Sequence, residues 1–144
     1  LATTRLSGMA QLDSNNTEPK TILIVEDDPF IAMDLQDTFE EAGYTVLGPV
    51  AAVQPGLEIV AEMTPDIAML DFNLGRETSL PIAEKLEETA VPYIFLSGHA
   101  DKVVKVGKVS KKRIIAKPFH AESLVARVDR IINASRTRAS LSAS

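Results

Sequence analysis

Five short apolar runs, separated by stretches of helical period, constrain this chain more than any other feature. They are Ile22-Leu23-Ile24-Val25, Tyr44-Thr45-Val46-Leu47, Ile67-Ala68-Met69-Leu70, Val91 to Leu96, and Arg113-Ile114-Ile115-Ala116. Most are rich in β-branched residues and continuous rather than alternating, which suits strands buried on both faces. The stretches between them read as helices. In the first, Asp28 can cap and Pro29 fits the opening position; Ile31, Leu35, Thr38, Phe39 and Ala42 share a face, and Gly43 stops it. The second opens at Pro55 ahead of Leu57, Ile59, Val60 and Met63, and the third covers roughly Ser79 to Glu88. The fourth, Ala100 to about Lys108, is short and interrupted by Gly107; the fifth carries Leu124, Val128, Ile131 and Ile132 on one stripe. With no hairpin signal between them, the alternation predicts an α/β fold: a doubly wound, five-stranded parallel sheet.

The 144 residues, 45% of them hydrophobic, are enough for one domain with a real core. Residues 1–19 are polar and aperiodic and read as a disordered tail. The chain opens on Leu, and Met9 follows a Ser-Gly pair, so a cloning scar is expected ahead of Met9. The domain is expected at 20–134, and the polar stretch 135–144 as a flexible tail. A formal net charge of -5 argues against general affinity for nucleic acid or anionic lipid, which comes from neutralising phosphates with Lys and Arg. Cysteine is absent, which excludes disulfides, thiolate metal sites and cysteine nucleophiles, and two histidines are too few for a histidine cage. No apolar run approaches the length of about 18 residues that a spanning helix requires, and no secretory signal opens the chain. A cytoplasmic location is the expectation.

Chemistry collects where the runs end. The first is followed by Glu26-Asp27-Asp28, the third by Asp71, the fourth by Ser97-Gly98-His99, and the fifth by Lys117-Pro118. In an open parallel sheet all strand C-termini lie along one edge, where ligands bind. The second run supplies only Gly48-Pro49, so its strand is expected at the sheet margin. Taken singly, each feature has a plainer explanation. Asp28 is best read as a helix cap, Asp71 as a turn or cap residue, Ser97-Gly98 as an ordinary turn, and Lys117 as a weak signal before proline. Turn chemistry alone does not readily deliver all four in order, each after its own apolar run.

Clustered carboxylates repel one another, and a hard divalent cation relieves the repulsion. Magnesium, which accepts a few carboxylate or carbonyl oxygens and keeps waters, fits such a set. With the ion and Lys117 beside it, Asp71 can attack phosphorus while metal, ammonium and the Ser97 hydroxyl share the charge of the transferred oxygens.

The segments ILIVEDDP, PDIAMLDFNLG, VPYIFLSGHAD and IIAKPF resemble the signature blocks of response regulator receiver domains from two-component signalling, from about Lys20 to Asn133. The resemblance implies a flavodoxin-like receiver fold with strand order 2-1-3-4-5. It assigns Asp71 as phosphoacceptor with Ser97 and Lys117 as its catalytic partners. Glu26, Asp27, Asp71 and the Asn73 backbone carbonyl become ligands of Mg2+, for which Mn2+ or Ca2+ could substitute. It also implies a cis bond before Pro118. The block DFNLGRETSLPIAEKL with PYIFLSGHA is similar to the alphaproteobacterial single-domain regulators of the FAT GUY group, which pair with HWE or related histidine kinases. Two positions depart from the pattern: His99 stands where an aromatic residue commonly follows Ser-Gly, and Ile114 stands where the fifth strand usually carries Tyr or Phe. Signal output is therefore expected to use movements other than the aromatic rotamer switch.

Too few residues follow Asn133 in this sequence for a DNA-binding or catalytic module. The expectation is a single-domain regulator, not an enzyme beyond self-phosphotransfer and autodephosphorylation. It would serve a sensor histidine kinase as phosphate sink or adaptor, as a monomer or weak dimer. Lys102, Lys105, Lys108, Lys111, Lys112 and Arg113 form either a solvated face or a docking patch for a downstream partner at 100–113. The stripe on the fifth helix reads as core. Two other functions compete. An Asp-nucleophile phosphohydrolase of the haloacid type needs a second aspartate where Asn73 stands. A non-phosphorylated binding module of the flavodoxin kind lacks its glycine-rich phosphate loop after the first strand.

Overall fold

A computed structural model of the chain describes residues 20–107 and 110–143. The tail expected at 1–19, and Lys108, lie outside the described residues. The chain runs β1 (Lys20–Val25), α1 (Pro29–Glu41), β2 (Tyr44–Val50), α2 (Val53–Met63) and β3 (Ile67–Asp71). A short pair follows, β4 (Asn73–Leu74) and β5 (Glu77–Thr78), then α3 (Leu80–Glu88), β6 (Tyr93–Ser97) and α4 (Ala100–Gly107). A 3-10 turn at Lys111–Arg113 leads to β7 (Ile114–Ala116) and α5 (Ala121–Ala143).

The five long strands form one parallel sheet in the order β2-β1-β3-β6-β7, so the predicted topology holds and β2 lies at the margin. Continuous apolar strands can face helices on both sides, and here alternate residues do so. Ile22, Ile24, Ile67, Met69, Ile94 and Leu96 pack against Leu35 and Phe39 of α1 and Leu124, Val128 and Ile132 of α5. Leu23, Val25, Ala68, Leu70 and Phe95 pack on the other face against Val60 of α2, Ile82 and Leu86 of α3, and Val103 of α4. The stripe on α5 is core, as expected.

Three local features differ from the sequence reading. An antiparallel pair is present after all: Asn73 pairs with Thr78 and Leu74 with Glu77, around a turn in which Gly75 takes φ +70°. Two-residue strands are too short to show a period, which is why no hairpin signal was visible. The second helix opens at Val53, two residues before Pro55. Its N-terminus has no side-chain cap from Ala52; instead the Val53 N–H donates to Glu77 Oε2 at 3.0 Å. The last helix continues to Ala143, past the boundary expected at 134. Its polar extension is built from good helix formers such as Ala, Arg and Leu. Arg136 on this extension pairs with Asp66 at 3.7 Å, and Asp66 in turn accepts the Thr21 N–H at 2.8 Å.

Candidate functional site

At the C-terminal edge of the sheet, β1 and β3 lie side by side, with Val25 in register with Leu70, so the residues that follow them emerge together. Glu26 is held there by its own backbone, whose N–H donates to the Val50 carbonyl at 2.9 Å. Its carboxylate accepts the Asp28 N–H at 3.1 Å through Oε2 and faces Lys117 Nζ at 3.3 Å through Oε1. Asp28 caps α1 as expected, accepting the N–H groups of Phe30 and Ile31 at 2.9 and 3.2 Å. The neighbouring Asp27 is exposed, while Glu26 and Asp71 are buried.

Asp71 closes β3, and its Oδ1 lies 3.2 Å from Lys117 Nζ. One carboxylate oxygen from each of Glu26, Asp27 and Asp71 falls within 4.8 Å of the other two. Among the described residues, a single ammonium serves this group of acids. Burial, and then the adjacent Glu26 carboxylate, push the Asp71 carboxyl up from 3.8 to about 7, although Lys117 opposes the shift. Burial alone would lower the Lys117 ammonium, but the charges of Glu26 and Asp71 outweigh it and its pKa is raised. A compact set of hard oxygen donors, one of which resists ionisation without more positive charge, fits a magnesium-type cation.

Lys117 reaches the site because its N–H donates to the Ser97 carbonyl at 2.9 Å, which continues the pairing of Ser97 with Ala116; the Lys117–Pro118 bond is cis. Ser97 is buried at the same edge, and its Oγ accepts the His99 N–H at 2.9 Å. The hydroxyl proton meets no acceptor among the described residues. The carbonyl of His99 accepts the N–H groups of Lys102 and Val103, so this residue opens α4 while its own side chain stays exposed. Ile114, in place of an aromatic, is buried as the first residue of the edge strand β7. The Phe72 backbone is committed to the Leu96 carbonyl and the Ser79 N–H, and Asn73 begins the hairpin beyond it with an exposed side chain.

The structure thus brings Glu26, Asp27, Asp71 and Lys117 into one cluster, with Ser97 closing β6 at the same edge and Asn73 opening β4 two residues after Asp71. The sequence reading missed Phe30, which is 82% exposed beside the acids, and Met33, one turn further at 60%. The available signal was their place on α1 off the buried stripe of Ala32, Leu35 and Phe39.

A family model described as the response regulator receiver domain matches residues 22–129. The chain is similar to the TorCAD operon transcriptional regulatory protein TorR of Escherichia coli K12, with 33% identity over 118 residues. That match covers 79% of this chain and 50% of that protein. The chain spans about half the length of the curated relatives it matches. Among solved structures, the PhyR receiver domain of Erythrobacter litoralis superposes with a TM-score of 0.71 at 23% identity, over 78% of this chain and 88% of that one. A response regulator receiver protein of Sinorhizobium medicae gives 0.73 at 24% identity, over 82% and 98%. At these identities the structural likeness speaks for the fold.

Proposed function

This chain belongs to the response regulator receiver domain family, a signalling rather than a classical enzymatic role, and on that premise we propose that Asp71 accepts a phosphoryl group from a sensor histidine kinase. The observation that carries the reading is the cluster itself: three acids within 4.8 Å, with the buried Asp71 salt-bridged to Lys117 at 3.2 Å.

In the proposed step the Asp71 carboxylate attacks phosphorus, forming an O–P bond. The P–N bond of a phosphohistidine breaks, and its electron pair leaves with the imidazole. Lys117 favours the ionised form of Asp71 against burial and the Glu26 charge, and counters the charge that arrives with the phosphoryl group. Ser97, whose oxygen already accepts from His99, has its proton free to donate to a phosphoryl oxygen. Glu26, Asp27, Asp71 and the Asn73 carbonyl would hold Mg2+, with Mn2+ or Ca2+ able to take the same oxygens; when bound, the ion shares the negative charge of the transferred oxygens. Output is proposed to begin at Ser97. Drawn toward Asp71, it would pull His99 and re-pose residues 97–113, the segment offered to a downstream partner. The block DFNLGRETSLPIAEKL supports an HWE-type kinase as donor.

The test is intact-mass measurement after incubation with acetyl phosphate and magnesium. Wild type should gain one phosphoryl group and Asp71→Asn none; equal labelling of both would defeat the assignment. Lys117→Ala should keep metal binding but lose the change in the amide spectrum of residues 97–113 that follows phosphorylation of the wild type.

A further inference from the structure

The proposed metal ligands come from two turns: Glu26 and Asp27 follow β1, while Asp71 closes β3 and Asn73 opens β4. The Glu26 turn leans on the end of β2, where the Val50 carbonyl accepts the Glu26 N–H at 2.9 Å. The Asn73 turn is closed at its base, where the Phe72 carbonyl accepts the Ser79 N–H at 2.9 Å. Within it Asn73 pairs with Thr78 and Leu74 with Glu77. A hairpin this short does not hold its shape in water unaided.

Two anchors hold its tip, and they stand opposite each other. Leu74 joins the buried cluster that contains Val53 and Ile82. Glu77, across the hairpin, accepts the Val53 N–H through Oε2 at 3.0 Å. Val53 opens α2 shortly after Val50, so one short stretch of backbone supports Glu26 at one end and Glu77 at the other. That stretch is firmly seated. Val53 is buried, and a Cβ added at Gly56 would lie 2.7 Å from Ile82 Cδ1, which leaves α2 no room to move toward α3. Glu77 is not itself among the carboxylates that converge at the site, which are Glu26, Asp27 and Asp71.

We propose that Glu77 is a positioning residue that makes the site selective for a small cation, by bracing the Asn73 turn against α2. It rests on the reading of Glu26, Asp27, Asp71 and the Asn73 carbonyl as metal ligands. Magnesium demands near-ideal octahedral geometry, whereas calcium accepts variable distances and ligand numbers. Outer contacts that fix the ligands therefore matter more to magnesium than to calcium.

The experiment titrates MgCl2 and CaCl2 into the isotope-labelled full chain and reads affinity from the amide shifts of residues 71–74. Melting is followed in parallel by circular dichroism. Glu77→Ala is expected to weaken magnesium by about fivefold and calcium by less than about twofold. Adding Ala52→Ser gives α2 a cap of its own, at a position already in extended conformation. This double variant should melt like wild type yet keep the weakened magnesium affinity, because the new cap does not reach the hairpin. It also answers if Glu77→Ala alone fails to fold. Glu77→Gln removes the charge but keeps an acceptor for the Val53 N–H, and should recover most of the affinity. Magnesium affinity that returns with the new cap would make Glu77 a helix cap only, and equal weakening by Glu77→Gln would leave only its charge; either overturns the proposal. So would an equal loss of both cations, or wild-type affinity in Glu77→Ala. Asp71→Asn should lose magnesium binding. If it binds as wild type does, or if wild type binds none, the metal reading falls and this proposal with it.

Discussion

Asp71 carries the largest consequence at the scale of single residues, because burial and Glu26 set its carboxyl against ionisation. In the metal-free folded protein it takes up its proton near 7, and in the unfolded chain near 3.8. Between those values the folded state binds more protons than the unfolded state. Its contribution to stability is therefore fully present at the acid end and is lost as pH rises through about 7. Denaturant unfolding without divalent ions should show Asp71→Asn more stable than wild type at about pH 7.5, with the difference shrinking toward about pH 4.5. Magnesium should reverse the preference: its affinity for wild type falls as pH drops below about 7, because the proton and the cation compete for the same carboxylate. An Asn variant no more stable than wild type at the alkaline end would show that Asp71 is not under this strain.

Among the elements, the β4–β5 hairpin does more than link β3 to α3. Glu77 reaches from it to the otherwise uncapped N-terminus of α2, where a carboxylate satisfies a free N–H and meets the positive end of the helix dipole. Glu77→Ala should cost about 1 kcal/mol in equilibrium unfolding, while Glu77→Gln, which keeps an acceptor, should recover part of it. A second element-level feature is the row of edge-to-face rings under the sheet. Phe72, next to Asp71, contacts Phe95 at 5.4 Å; Phe95 contacts Tyr93 at 5.5 Å; and Tyr93 carries Arg113. Since Ile114 cannot act as a ring switch, this row offers a packed route from the acids to the 3-10 turn. Phe95→Leu should weaken the coupling between Asp71 phosphorylation and the amide shifts at 111–113 without preventing labelling. Unaltered shifts there would remove the row from the route.

Over the whole molecule, the sheet separates two tasks by placing every chemistry-bearing turn at one edge and the anchors at the other. At the far edge the Tyr44 hydroxyl donates to Asp129, which also pairs with Lys20, and Arg136 pairs with Asp66. These contacts tie α5 to the start of the strands. At the site edge, Phe30 and Met33 expose apolar surface on α1 beside the acids. An exposed aromatic ring at the rim of a polar site offers a kinase an apolar contact, and this one is proposed as such. Phe30→Ala should therefore slow phosphoryl transfer from a histidine kinase severalfold while leaving labelling by acetyl phosphate, which needs no docking surface, unchanged. Equal loss with both donors would assign Phe30 to the chemistry or to folding instead. Among the described residues, no helix is long and apolar enough to cross a membrane.

Continuous apolar runs such as Ile22–Val25 and Ile67–Leu70 determined the parallel sheet by themselves, because strands buried on both faces leave no room for polar alternation. Their order along the chain put the residues following Val25 and Leu70, together with Ser97 and Lys117, at one edge. That much is local pattern plus the geometry of parallel strands. Tertiary structure alone decided the rest, because those features depend on pairs of residues far apart in sequence. The Lys117 ammonium chose Asp71 and Glu26 as partners across 46 and 91 positions, Glu77 became the cap of a helix 24 residues earlier, and Arg136 on α5 met Asp66 ahead of β3. No period in the sequence encodes such meetings; they exist only once the sheet has closed the distance.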